Sequence, residues 1–122
     1  MDWRNNVITE LGEGMGIRGL DFGDTGVVCF QIEGAGSLYM EQKEDGILMY
    51  LVREMDSFNS LPILERALAE CHYKKSFPYP LQVGVQENQL FICLFIHDVD
   101  FNRPSVESAM QFLMNKVDEL KL

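Results

Sequence analysis

The sequence predicts an α+β fold in the order helix, three-strand antiparallel meander, helix, two strands, helix, within a single domain over residues 1–122. Three observations carry this. Apolar, β-favouring runs over 27–32, 38–42 and 47–52 are joined by Gly34-Ala35-Gly36 and Glu44-Asp45-Gly46, the spacing of successive hairpins. The stretches 60–72 and 103–122 instead repeat their apolar residues at steps of three and four, the period of a helix face. A chain of 122 residues also has the common size of one domain that buries a core without crosslinks, and it shows no repeat of solenoid length.

Taken in order, Asp2 can cap a first helix in which Trp3, Val7, Leu11 and Met15 line one side while Glu10 and Glu13 point outward. Gly12, Gly14 and Gly16 weaken its end, since glycine inside a helix costs about 1 kcal/mol relative to alanine. The segment from Gly19 to Gly26 reads as a loop. Val28, Phe30 and Ile32 then alternate with Val27, Cys29 and Gln31 in a first strand. The third run, Ile47 to Val52, is apolar on both faces, and the same holds for Leu90 to Ile96; each should have something packed on both sides. Between them, Pro62 is tolerated in the first turn of the central helix, and Phe77-Pro78-Tyr79-Pro80 forms an extended link to the strand containing Leu81, Val83 and Val85. In the last helix Val106, Ala109, Met110, Leu113, Val117 and Leu120 give the cleanest periodicity of the chain and should pack on the sheet.

Composition narrows the function. Forty-seven per cent of residues are apolar, yet the net charge is -9, which opposes binding to nucleic-acid backbones or anionic lipid and suits a basic or amphipathic segment of a partner protein. Cys29, Cys71 and Cys93 are an odd, widely spaced set, each in an apolar run, and indicate a reducing compartment rather than a disulfide framework. The N-terminus lacks the layout of a secretory signal and no apolar run approaches the length of a membrane span, so a cytoplasmic location is expected.

Candidate chemistry is sparse. His97-Asp98-Val99-Asp100 offers an imidazole and two carboxylates, but no second His or Cys cluster completes a metal site, and a polar loop is the better account. Cys71 and His72 are adjacent in a helix and diverge by about 100°, so they do not make a nucleophile–base dyad. Gly12-Glu13-Gly14-Met15-Gly16 follows a helix and lacks the Lys-Ser/Thr of a nucleotide loop. An enzyme is therefore not expected, nor a cofactor. Seven methionines leave more to decide, because a flexible thioether fills irregular cores and also lines surfaces that accept varied apolar sequences. Met110 reads as core. Met40 and Met49 are balanced between the two roles, and Leu38, Met40, Ile47, Met49 and Leu51 together exceed what a sheet covered on one face requires, leaving an exposed remainder as an interaction surface.

Length, acidity, the lack of a catalytic constellation and the order of elements from Asp2-Trp3 through Leu120 resemble the class I chaperones of bacterial type III secretion systems. The nearest local likeness is Leu38-Tyr39-Met40-Glu41 leading through a turn to Leu48-Met49-Tyr50-Leu51. The resemblance implies a single-domain, dimeric secretion-chaperone-like fold that keeps an extended N-terminal segment of a secreted effector or secretion-apparatus client soluble and export-competent. It implies a homodimer, with heterodimers known among relatives, whose interface would use Leu61, Leu64, Leu68 and Cys71, with Leu81 and Val83 beside them. Client-binding grooves carried over by position would involve Trp3, Val7, Leu11, Val28, Leu38, Met40, Met49 and Leu51, where a client strand gains main-chain hydrogen bonds at a sheet edge. The alternative is a small-ligand sensor or protein–protein scaffold with an internal pocket near Tyr50, Phe91 and Phe95. The central helix either covers its own sheet or meets a twin; its alanines and the resemblance favour the twin.

Overall fold

The computed structural model describes residues 3–34, 36–54, 65 and 82–119. The elements are α1 (Trp3–Gly14), β1 (Val27–Ile32), β2 (Gly36–Gln42), β3 (Gly46–Glu54), β4 (Gln82–Gln86), β5 (Gln89–His97), a 3-10 turn (Asp98–Asp100) and α2 (Arg103–Glu119). Of the expected central helix only Glu65 is described, and it is helical. Leu61, Leu64, Leu68, Cys71 and Leu81 lie outside the described residues, as do Asp2 and Leu120.

The strands form one antiparallel sheet in the order β1-β2-β3-β5-β4. The meander and the second hairpin are therefore joined through β3 and β5, the two most apolar strands. Register assigns the two faces. Met40 pairs with Met49 and Met49 with Leu94, whereas the next row runs from Cys29 through Tyr39, Tyr50 and Cys93 to Gln82. Successive strand residues point to opposite sides, so the first row faces the helices and the second faces away.

The helix-facing side is the core. Leu38, Met40, Ile47, Met49, Leu90 and Ile96 are fully buried there, joined by Ile8 and Leu11 of α1, Phe22 of the following loop, and Val106, Ala109, Leu113 and Val117 of α2. The predicted stripe of α2 thus packs inward as expected, and Met110 joins it. Asn102 starts that helix by accepting the Ser105 amide at 3.0 Å on its side-chain oxygen, satisfying a donor with no partner inside the helix.

The stripe of α1 differs from the sequence expectation. Ile8, Leu11 and Gly12 are buried, while Trp3 and Met15 are exposed and Val7 is half-buried, so the helix is turned from the face that spacing alone suggested. The cause is Gly12: a Cβ there would collide with the Ile17 carbonyl and with Leu20, so the loop after the helix closes against bare backbone. Gly16 completes the turn at φ +80°. Ile17 N–H donates to the Gly12 carbonyl and Gly16 N–H to that of Glu13, a Schellman closure that satisfies the last carbonyls. The glycines that weaken the helix interior also terminate it.

The expectation that β3 and β5 are buried on both faces is corrected in part. Leu90, Ile92, Leu94 and Ile96 are buried, but Phe91, Cys93 and Phe95 on the other face are half-buried, as are Leu48 and Tyr50 opposite them. Both described helices lie on one side of the sheet.

Candidate functional site

β1 is an edge strand of the described sheet, so one row of its main-chain N–H and C=O groups faces away from β2. Its inward side is graded. Val28 is buried, whereas Phe30 and Ile32 are half-buried, packed against the core without being sealed into it, as Val7 and Leu20 are elsewhere on its margin. The loop after α1 is fixed to the helix. The Thr9 hydroxyl donates to the Leu20 carbonyl at 3.0 Å, and the Phe22 amide donates to the Asn5 side-chain oxygen at 2.9 Å, holding the loop over 17–22 to the helix. The strand presents an open backbone edge, with half-buried Phe30 and Ile32 as shallow apolar steps on its inward side. This arrangement can take an added strand whose alternate side chains enter those steps.

The residues assigned to client binding from the sequence separate into two groups. Leu11, Val28, Leu38, Met40, Met49 and Leu51 are buried between sheet and helices and form a floor that the helices cover. Trp3, 46% exposed, and half-buried Val7 remain accessible. Met40 and Met49, balanced beforehand, are core, and the apolar excess of Leu38, Met40, Ile47, Met49 and Leu51 is consumed by two helices on one face. The sequence reading missed Leu20, Phe30 and Ile32. Phe30 and Ile32 share the period of Val28, but their partial exposure follows from sheet order, which periodicity does not contain. Val83, assigned to the dimer interface, lies half-buried on β4, at the other edge.

The opposite face carries the exposed remainder. Tyr39 and Tyr50 stack across β2 and β3 with ring centroids 4.9 Å apart and planes 7° from parallel. The Tyr39 phenol is held above its ordinary pKa first by a hydrogen bond with Cys29, then by the charge of Cys29 and by burial. Tyr50 is raised by burial first and then by the Glu41 charge. Phe91 pairs with Val52 and Phe95 with Leu48, so Tyr50, Phe91 and Phe95 lie along this face instead of around the internal pocket of the small-ligand alternative.

The His97–Asp100 cluster has a structural use. Arg4 Nε donates to Asp98 Oδ1 at 2.9 Å and Nη2 to Oδ2 at 2.7 Å, while Nη1 reaches the Gln42 side-chain oxygen at 3.1 Å. One guanidinium thereby ties the start of α1 to the end of β2 and to the turn after β5. Trp3 beside it makes an edge contact with Phe101 at 5.9 Å, and His97 leans edge-on against Phe95. Among the described residues no group of three His, Cys, Asp or Glu side chains is placed to hold a metal ion. No described helix is long and apolar enough to cross a membrane.

This architecture is that of solved secretion chaperones. A chain of the HopA1–SchA chaperone–effector complex superposes with a TM-score of 0.72 at 15% identity, covering 98% of this chain and 97% of that one. The Yersinia pestis type III secretion chaperone SycH, solved with a stable fragment of YscM2, gives 0.71 at 10% identity over 96% and 98%. A broader likeness, to the putative transcription regulator YbjN of E. coli, has a TM-score of 0.59 at 11% identity over 94% and 86%, so the fold alone does not dictate one use. The sequence is more specific: the profile of the family described as "Type III secretory system chaperone SycN" matches residues 3–121, and the chain belongs to that family. No curated protein sequence matches significantly.

Proposed function

We propose that this chain is a cytoplasmic, non-catalytic, single-domain chaperone of a type III secretion system that works as a dimer. It holds an extended N-terminal segment of a secreted effector or secretion-apparatus protein in a soluble, export-competent form. The observation that carries the reading is the open edge of β1, with Phe30 and Ile32 half-buried on its inward side. An extended client segment pairs with that edge and places alternate apolar residues in the steps, gaining main-chain hydrogen bonds that do not depend on one client sequence. Trp3 extends the apolar path at the start of α1. The family membership and the chaperone–effector and chaperone–fragment complexes among the similar structures support the same use. The six buried residues named from the sequence act beneath this surface, by holding its shape.

The dimer interface of this reading uses Leu61, Leu64, Leu68 and Cys71, with Leu81 and Val83 beside them. The acidic net charge of -9 keeps a dimer carrying open apolar edges from further association.

The test is co-expression with a candidate secreted client, followed by amide hydrogen exchange with and without the client. Protection should rise at Val27–Ile32, and Phe30→Asp should abolish co-purification while leaving the fold intact. Unchanged exchange at β1 in a stable complex would remove the edge as the site. In the same preparation Leu64→Asp should convert the dimer to monomer by light scattering; an unchanged mass would assign that helix to its own subunit.

A further inference from the structure

The hydrogen-bond alternation along β1 decides which of its residues can meet a client. Gln42 N–H donates to the Gly26 carbonyl at 2.8 Å, one step before the Val27↔Glu41 pair. In an antiparallel ladder, opposed residues alternate between pairs that exchange main-chain bonds and pairs that do not. Two and four residues beyond Gly26, Val28 and Phe30 therefore bond to Met40 and Leu38 of β2, whereas Cys29 and Gln31 turn their N–H and C=O groups away from it, toward the free edge. The Val27 amide also points outward but donates to the Thr25 hydroxyl at 3.4 Å, so the open run of donors begins at Cys29.

Side-chain contacts agree with this assignment. Pairs without main-chain bonds bring side chains closest, and at two such pairs β1 and β2 touch. Gln31 Nε2 donates to Ser37 Oγ at 2.8 Å, and Cys29 shares a hydrogen bond with the Tyr39 phenol. The two residues with open main chains thus have side chains engaged by β2 on the outer face. Phe30 is the converse: its main chain is bonded to β2, and its side chain is half-buried on the helix-facing side. A strand added antiparallel, as every pair in this sheet is, makes bonded pairs with Cys29 and Gln31 and so a close pair with Phe30, Cα atoms about 4.5 Å apart.

Resting on the chaperone reading above, we propose that β1 holds its client through two main-chain anchors, Cys29 and Gln31, and reads it at one position, where a β-branched or aromatic client residue packs directly on Phe30. Cross-strand pairs of those types are the favourable ones, and the close pair is where they act most strongly. The client residues opposite Cys29 and Gln31 point to the outer face, beside side chains already tied to Tyr39 and Ser37, and carry little of the choice. The recognised element is therefore short: one large apolar residue between two whose backbones matter and whose side chains do not. Phe30 is the specificity-determining residue of the edge.

The experiment follows single amides of the full chain by NMR hydrogen exchange, alone and in complex with the secreted client that co-purifies with it. In the free chain Cys29 and Gln31 should exchange fast and Val28 and Phe30 slowly; in the complex the alternation should vanish, because Cys29 and Gln31 slow to the rate of their neighbours. Gln31→Pro removes an amide that β2 does not use, a change that edge strands tolerate. It should leave the urea midpoint near the native value and weaken the client about two- to tenfold, the worth of one main-chain bond. Phe30→Ala should weaken the client about two- to fivefold, the worth of one cross-strand pair. A stable complex whose β1 amides are unchanged, or protected instead at Gln82–Gln86, removes the edge and the chaperone reading of it together. Slow exchange at Cys29 and Gln31 with fast exchange at Val28 and Phe30 in the free chain overturns the anchors while leaving the edge in use. Undiminished affinity in Phe30→Ala overturns the role of Phe30.

Discussion

Removing the guanidinium of Arg4 should cost about 2 kcal/mol, a value set by how far the pair is buried. An exposed ion pair contributes about 0.2–1 kcal/mol, whereas truncating one partner of a buried pair costs about 3–5 kcal/mol. The Arg4 side chain is 11% exposed and that of Asp98 33%, with two parallel bonds of 2.9 and 2.7 Å, so the pair falls between these limits and is discounted for the water that reaches Asp98. Arg4→Ala also leaves the Gln42 side chain without one donor. At about 2.1 cal/mol/K per residue of unfolding entropy, 2 kcal/mol is a fall of about 8 °C in Tm for a chain of this length. Urea unfolding of Arg4→Ala, Asp98→Asn and the double variant, all at one protein concentration because association adds to apparent stability, gives the coupling directly. A coupling near 1 kcal/mol is expected. Additive single effects within about 0.3 kcal/mol would show that the clasp contributes nothing as a pair.

Met49→Ala should lower stability by about 2–5 kcal/mol, because the side chain is fully buried between sheet and helices; a stable variant that fails only in client binding would contradict that placement. Trp3→Ala removes an exposed ring with an edge contact to Phe101 and the Arg4 guanidinium 6.0 Å over its face, and should cost only about 0.5–1.5 kcal/mol while weakening client binding, as read by urea midpoint and co-purification. Stability should also fall as pH rises past about 10. The Tyr39 and Tyr50 phenols are raised above the unfolded value, so the folded chain keeps their protons longer and loses that advantage once the unfolded chain ionises. Urea midpoints at neutral and alkaline pH should diverge for the native chain and less for Tyr50→Phe.

The parts of the fold that sequence made legible are those whose signal is local. Alternation in Val27 to Ile32 and the continuous apolar run of Leu90 to Ile96 located strands, and the period of Val106 to Val117 located the inward face of α2, because side-chain direction follows directly from backbone period. What escaped depends on contacts between distant segments. The turn of α1 is set by Gly12 against Leu20, and an apolar count registers Trp3 and Met15 but not a glycine whose role is to leave space. The pairing of β3 with β5 is likewise unwritten in either strand alone, yet it decides that β1 is an edge and that Phe30 and Ile32 stand at its margin. Six of the eight residues assigned to client binding are buried for one reason: Leu38, Met40 and Met49 share a face with the half-buried residues, and only the placement of two helices distinguishes floor from rim.

The composition of β1 separates a tolerated edge from a used one. Natural sheets guard exposed edges with charge, proline or short strands, since an unpaired backbone row invites any other chain. Val27-Val28-Cys29-Phe30-Gln31-Ile32 contains no charge and no proline, and it runs six residues. The other described edge, Gln82-Val83-Gly84-Val85-Gln86, is shorter, interrupted by glycine and bounded by glutamines, but equally uncharged. Protection therefore comes from the net charge of -9 over the whole molecule and not from the strands themselves. Such charge repels a second acidic copy at long range and leaves the edge available to a partner whose segment is neutral or basic. On that argument Phe30→Lys blocks a client by guarding the strand locally, whereas removing surface carboxylates elsewhere leaves client binding intact and promotes self-association, and the two variants together distinguish an edge kept for pairing from one merely left open.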